Sequence, residues 1–136
     1  MRVTTGIDII EVDRIKKAIN DLGDTFLNKV FTKNEIEYCN KSEAIKYQHF
    51  AARFAVKEAV FKALSAYIKN RDDSLWTSIE VINLESGKPT INVEKLMKKI
   101  TLTADNISLK DIDISISHLK DYAVASAVAV FNIDSK

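Results

Sequence analysis

From Val3 to Val12 the chain is dense in β-branched residues and reads as a strand. Asp13 is then placed to cap a helix over Arg14 to Leu22, with Ile15, Ala18, Ile19 and Leu22 as its inner stripe and Gly23 as its stop. Thr32 followed by Glu35 fits a capping box, so a second helix starts near Lys33. The longest helical stretch runs from about Ala44 to Tyr67, rich in Ala, Lys, Glu and Leu. Ser78 to Leu84 and Thr90 to Val93 flank the turn-forming Glu85-Ser86-Gly87-Lys88-Pro89 and suggest a hairpin. Val93, Leu96, Met97 and Ile100 follow helical spacing. Ile112, Ile114 and Ile116 alternate with polar residues, and Tyr122 to Ile133 is again β-rich, so the chain closes on two antiparallel strands. The pattern predicts an α+β fold in which an antiparallel sheet packs on one long buried helix.

With 136 residues and no repeat, low-complexity tract or Pro/Gly-rich linker, a single domain over 1–136 is expected. Apolar residues at 46% and charged residues at 29% belong to ordinary globular proteins. Twenty basic against nineteen acidic residues leave +1, which steers the chain neither to nucleic acid nor to an anionic membrane. No apolar run approaches the ~20 residues of a membrane span, and the N-terminus lacks the apolar region of a signal peptide. The lone Cys39 excludes an intrachain disulfide, and beside two scattered histidines it offers no zinc spacing; a cytoplasmic protein is expected.

The long helix is apolar on nearly every side from Phe50 to Leu64 except at Arg53, Lys57, Glu58 and Lys62, so charge stands where core is expected. Such charges are usually paired, metal-bound or lining a cleft. Glu58 and Lys62, one turn apart, fit an exposed i,i+4 pair equally well. Asp8 interrupts an apolar strand, a place carboxylates avoid, on a face it shares with Gly6, whose missing side chain leaves room for a ligand. Asp8 and Glu58 brought together would suit Mg²⁺, which takes one or two protein carboxylates and completes its shell with water and phosphate. Ser115, Ser117 and His118 gather polar groups able to donate to phosphate at the turn of the last hairpin. Ser117, His118 and Asp121 do not read as a hydrolase triad, because no nucleophile elbow is present.

In this order, Gly6-Ile7-Asp8, Lys57-Glu58-Ala59 with Lys62, and Ser115-Ile116-Ser117-His118 with Tyr122-Ala123 resemble the small holo-acyl-carrier-protein synthases. Ile10 to Ile15, Phe31-Thr32 with Glu35, Phe50-Ala51 with Arg53-Phe54-Ala55, and Gly87-Lys88-Pro89 extend the resemblance over nearly the whole chain. After Ala63-Leu64 the Gly-Thr-Gly-like turn of that family is replaced by a longer, glycine-poor run from Ser65 to Asp73. The resemblance implies the 4'-phosphopantetheinyl transferase fold and a Mg²⁺-dependent transfer of phosphopantetheine from coenzyme A to a serine of an acyl carrier protein, in support of fatty acid biosynthesis. It implies Asp8 and Glu58 as metal ligands, Lys62 at the transferring phosphate, and Glu58 on the route of the serine proton. Arg53 and His118 become coenzyme A contacts, and Gly87, Lys88 and Pro89 lie near the nucleotide. Arg14 and Lys17, with Lys16 beside them, offer a basic surface to an acidic carrier, and a homotrimer with sites between subunits is implied. Two rivals compete: a coenzyme A or nucleotide binder without turnover, and a structural oligomer whose charges are buried ion pairs.

Overall fold

The computed structural model describes residues 1–69 and 72–135. Strand β1 (Arg2–Glu11) leads into helices α1 (Val12–Leu22), α2 (Asp24–Val30), α3 (Lys33–Asn40), α4 (Lys46–Leu64) and the short α5 (Ser74–Ser78). A small hairpin, β2 (Val81–Asn83) and β3 (Pro89–Ile91), is followed by α6 (Val93–Lys99) and by the long strands β4 (Ile107–His118) and β5 (Tyr122–Ile133). The main sheet is antiparallel in the order β1-β5-β4, with Asp8 opposite Ala125 and Ile116 opposite the same alanine from the other side. The α+β expectation holds in this arrangement.

Helix α4 lies across the inner face of the sheet. Its Ala55, Ala59 and Ala63 share one core with Ala125, Ala127 and Ala129 of β5, and small residues on both surfaces let helix and strand backbones approach closely. Gly6 belongs to this contact: a Cβ there would overlap the carbonyl oxygen of Ala59 and reach to 2.9 Å from the Ala63 nitrogen. The glycine therefore serves helix–strand packing and does not clear space for a ligand. Thr4, one pleat away, donates its hydroxyl to the Ala63 carbonyl. A second core, built from Val12, Ile15, Val30, Phe31, Cys39 and Phe50, binds α1 and α3 to the first half of α4.

Several element boundaries differ from expectation. Val12 opens α1 instead of ending β1, and Asp13 is not the cap: the N-cap is Glu11, which makes no side-chain cap, and the Val12 N–H donates to the Asp121 carbonyl at 2.9 Å. Leu22 is exposed, because Gly23 turns the chain at once into α2 and the inward packing of α1 ends at Ile19. The capping box of α3 is present, with Glu35 N–H donating to Thr32 at 3.2 Å and Thr32 N–H to Glu35 at 2.8 Å. Ser78 closes α5 by donating to the Ser74 carbonyl, so β2 starts only at Val81. Asn92 caps α6 through the Lys95 N–H, which ends β3 at Ile91 and draws Val93 into the helix.

The outer face of the sheet is divided. Val3, Ile7, Ile9 and Val128 are 43–65% exposed on the β1 and β5 side, whereas Asp111, Asp113, Ser115 and Ser117 line the β4 side.

Candidate functional site

Asp8 lies on β1, an edge strand, and points with Gly6 and Ile10 to the face that α4 covers. Across from it, one helical turn presents Glu58 and the next Lys62. The Lys62 ammonium donates to the Ile7 carbonyl at 2.9 Å and stands 3.5 Å from the Asp8 carboxylate. Among the described residues, the ion pair of Lys62 is thus with the strand and not with Glu58, so the exposed i,i+4 reading is not what forms. Burial pushes the Glu58 carboxyl above the ordinary carboxylate range, the Asp8 charge pushes it further, and Lys62 opposes both. The Asp8 carboxylate stands close enough to raise the proton affinity of Glu58, and two carboxylates with one half-exposed ammonium beside them leave negative charge uncompensated. That donor set fits a hard divalent cation such as Mg²⁺, held by two carboxylates with its other positions open.

The other charges of α4 point elsewhere. Lys57 is fully buried and donates to Glu35 at 2.8 Å and to the carbonyls of Trp76 and Ile79 at 2.7 Å each, three donors for three acceptors. Burial pulls this ammonium below the ordinary lysine range and Glu35 opposes the pull. The structural ion pair weighed for this helix is therefore real, but it belongs to Lys57. Between α4 and the segment 72–79 a cleft of about 250 Å³ opens beside Glu58, walled by Phe61, Leu75, Trp76 and Ile79.

A second cleft, of about 240 Å³, is lined by Tyr38, His49, Arg53, Gly87, Pro89 and His118. Arg53 is 4% exposed, its guanidinium rests 4.0 Å from the Tyr38 ring centroid, and among the described residues its Nε has no hydrogen-bond partner. The Nδ1 of His49 likewise has no partner among the described residues, and its ring packs edge-on against His118 with centroids 5.8 Å apart. Burial first, then the positive charge of Arg53 and His118, holds His49 below the ordinary histidine range. An electropositive pocket with orphaned buried nitrogens is built for an anion. His118 is held through Nδ1 by the Gln48 side chain at 2.9 Å.

The sequence reading named Arg53, Gly87, Pro89 and His118, and the fold brings these four together; it missed His49, although its place one helical turn before Arg53 put it on the same face. Lys88 does not line this cleft: its ammonium pairs with Asp113 at 3.0 Å on the exposed side. Ser115 and Ser117 lie on the outer face of β4, opposite to His118, because side chains alternate along a strand. Arg14 and Lys17 border an open groove on α1 with Ala18, Asp21 and Leu22, while Lys16 turns to the Tyr47 ring of α4. Of the long 65–73 connection, Asn70 and Arg71 lie outside the described residues. Before them Ile68 bridges Leu102 and Lys69 N–H donates to Thr101.

The two clefts thus face different sides of α4, yet both fall in one region shared with known proteins. Residues 4–127 match the model of the 4'-phosphopantetheinyl transferase superfamily. The chain is 45% identical over 128 residues to a holo-[acyl-carrier-protein] synthase of Ruminiclostridium cellulolyticum, covering 94% of this chain and 92% of that one. It is similar to a holo-(acyl-carrier-protein) synthase of Bacillus anthracis crystallised in complex with coenzyme A (3',5'-ADP), at 31% identity and a TM-score of 0.67 over 93% of this chain and 94% of that one. A Helicobacter pylori holo-[acyl-carrier-protein] synthase in complex with coenzyme A matches at 27% identity and a TM-score of 0.72, over 93% and 99% of the two chains. Asp8, Glu58, Lys62, Arg53 and His118 all lie inside the matched span, so the carboxylate pair and the anion cleft are embedded in the shared fold: this chain belongs to the 4'-phosphopantetheinyl transferase superfamily.

Proposed function

We propose that this chain is a holo-acyl-carrier-protein synthase that transfers 4'-phosphopantetheine from coenzyme A to a serine of an apo acyl carrier protein, releasing adenosine 3',5'-bisphosphate. The observation that carries the reading is the meeting of Asp8, Glu58 and Lys62 where β1 crosses α4. Asp8 and Glu58 would hold Mg²⁺, which when bound supplies positive charge against the phosphates. The serine hydroxyl attacks phosphorus and the bond to the adenosine bisphosphate oxygen breaks. The hydroxyl proton leaves by way of Glu58, directly or through an intervening water, and Lys62 stays beside the transferring phosphate.

Arg53 and His118, with His49, are assigned to coenzyme A phosphate, with Gly87, Lys88 and Pro89 at the nucleotide; Lys88 must then leave Asp113. Arg14 and Lys17 are assigned to the carrier. A homotrimer is proposed because the two clefts open on different sides of α4, so that one copy's carboxylates can meet a neighbour's anion cleft, and because the β1 and β5 side of the sheet is apolar and uncovered. One domain over 1–136 carries all of these parts. Work in the cytoplasm, within fatty acid biosynthesis, is consistent with a lone buried cysteine, and among the described residues no helix is long and apolar enough to cross a membrane.

Intact-mass measurement of an apo carrier incubated with the protein, coenzyme A and Mg²⁺ tests the reading. A mass gain of one phosphopantetheine is expected, and it should vanish for Asp8→Ala and Glu58→Ala while circular dichroism is unchanged. Absence of the gain across fatty-acid, polyketide and peptidyl carriers sinks it. A binder without turnover would be stabilised thermally by coenzyme A yet label nothing.

A further inference from the structure

The buried pair Glu35–Lys57 is far more fully bonded than a helix cap requires. Both side chains have no exposed surface. Glu35 accepts from Thr32 N–H and from Lys57 on one oxygen and from Val81 N–H at 2.9 Å on the other, while Lys57 donates to the carbonyls of Trp76 and Ile79. Three of these bonds end on the backbone between Trp76 and Val81, from the middle of α5 to the first residue of β2. Trp76 and Ile79 of that stretch form part of the far wall of the cleft beside Glu58, with Leu75 and Asp73 before them, and Lys57 is the residue next to Glu58 on α4. Two further ties hold the same wall: the Phe54 and Trp76 rings stack at 5.1 Å, and Asp73 pairs with Lys29 of α2 at 3.2 Å.

We propose that Glu35 and Lys57 are positioning residues which clamp the Trp76–Val81 backbone to the catalytic turn of α4, so that the cleft beside Glu58 is formed before substrate arrives. This rests on the transferase reading only for what enters the cleft. A five-residue helix and a three-residue strand cannot hold such a wall by local preference, because short elements draw their stability from tertiary contacts. Without the clamp, only a fraction of molecules would present a formed cleft, and apparent affinity falls by that fraction.

Two measurements decide it. In the double variant Glu35→Gln/Lys57→Met neither charge is left buried alone; in the full, assembled protein its KM for coenzyme A or for the carrier should rise about tenfold, as for a cleft formed in one molecule in ten, with kcat within about twofold. A lower thermal midpoint with both KM values unchanged overturns the proposal, since it leaves the pair a merely structural role. A fall in kcat with both KM values unchanged overturns it too, placing the effect on Glu58 and not on the wall. Amide hydrogen exchange of the wild-type protein needs neither a folded variant nor transfer activity. Val81 N–H should exchange as slowly as the core amides of α4, with or without coenzyme A. Faster exchange that coenzyme A slows would show a wall formed only on binding and overturn the proposal. If no carrier is ever labelled, the transferase reading falls while the exchange result still stands.

Discussion

Glu58 is held in a place that disfavours its charge. Burial and Asp8 both favour the protonated form, so its folded-state pKa lies above its unfolded value. Below the ordinary carboxylate range the group is protonated in both states and costs nothing; as pH rises through the folded-state pKa the charge has to be carried in the site, and stability is lost. Glu58→Gln should therefore melt higher than wild type at pH 7 to 8 in the absence of divalent cations, with the gap closing by about pH 4. Paired thermal melts across that range check it, and an equal gap at all pH values would show that packing, not charge, is responsible. That an active carboxylate weakens its own fold is an expected cost of a site built for chemistry. The sequence showed that charge stood in an apolar helix but not which charge went where. Lys57 and Glu58 are neighbours in sequence, yet one is sealed in the core and the other lines a cleft, because successive residues of a helix are turned by about 100°. Gly6 carried a similar ambiguity: the missing Cβ is plain in the sequence, whereas the Ala59 carbonyl opposite it belongs to the tertiary structure.

Among elements, the legible ones were those with internal signals. The capping box announced α3, the breaker-free run announced α4, and the alternation in β4 survives as Ile112, Ile114 and Ile116 on the inner face. Helices α2 and α5 went unread because seven and five residues carry too few turns to show a period. They exist because Phe26, Leu27, Leu75 and Trp76 find partners in the two cores. The same dependence makes the Glu35–Lys57 pair an unequal one. Lys57→Met alone leaves Glu35 as an uncompensated buried charge and should cost about 3–5 kcal/mol in denaturant unfolding. Adding Glu35→Gln should recover a substantial part of that loss, since the remaining groups are neutral. A double variant no more stable than Lys57→Met would show that hydrogen-bond geometry, not charge, dominates. Cys39 sits against this pair with its thiol pushed up to about 12, chiefly by burial, and belongs to the core rather than to any chemistry.

The proposed homotrimer would depend on a surface whose function the sequence alone did not reveal. Alternation along β1 and β5 marks a strand with two apolar faces, and the inner one is covered by α4. The outer one exposes Val3, Ile7, Ile9 and Val128, and beyond it the β4 edge turns acidic at Asp111 and Asp113. A boundary between apolar and charged halves of one sheet limits a contact to the β1 and β5 side. Val128→Lys tests this at a position remote from Asp8 and Glu58. On a lone chain position 128 is 43% exposed, so the lysine would stand in solvent across from the Lys88–Asp113 pair and folding should be spared. Buried between copies, its ammonium would have to be desolvated, so association should fail. Light scattering is expected to give the monomer mass with an unaltered circular dichroism spectrum. If each site takes its carboxylates from one copy and its anion cleft from another, transferase activity should fall by about 100-fold with it, the scale on which misplaced catalytic groups lose rate. A monomer with full activity would show that one chain completes the site alone, and a trimer that survives the lysine would place the interface on another face.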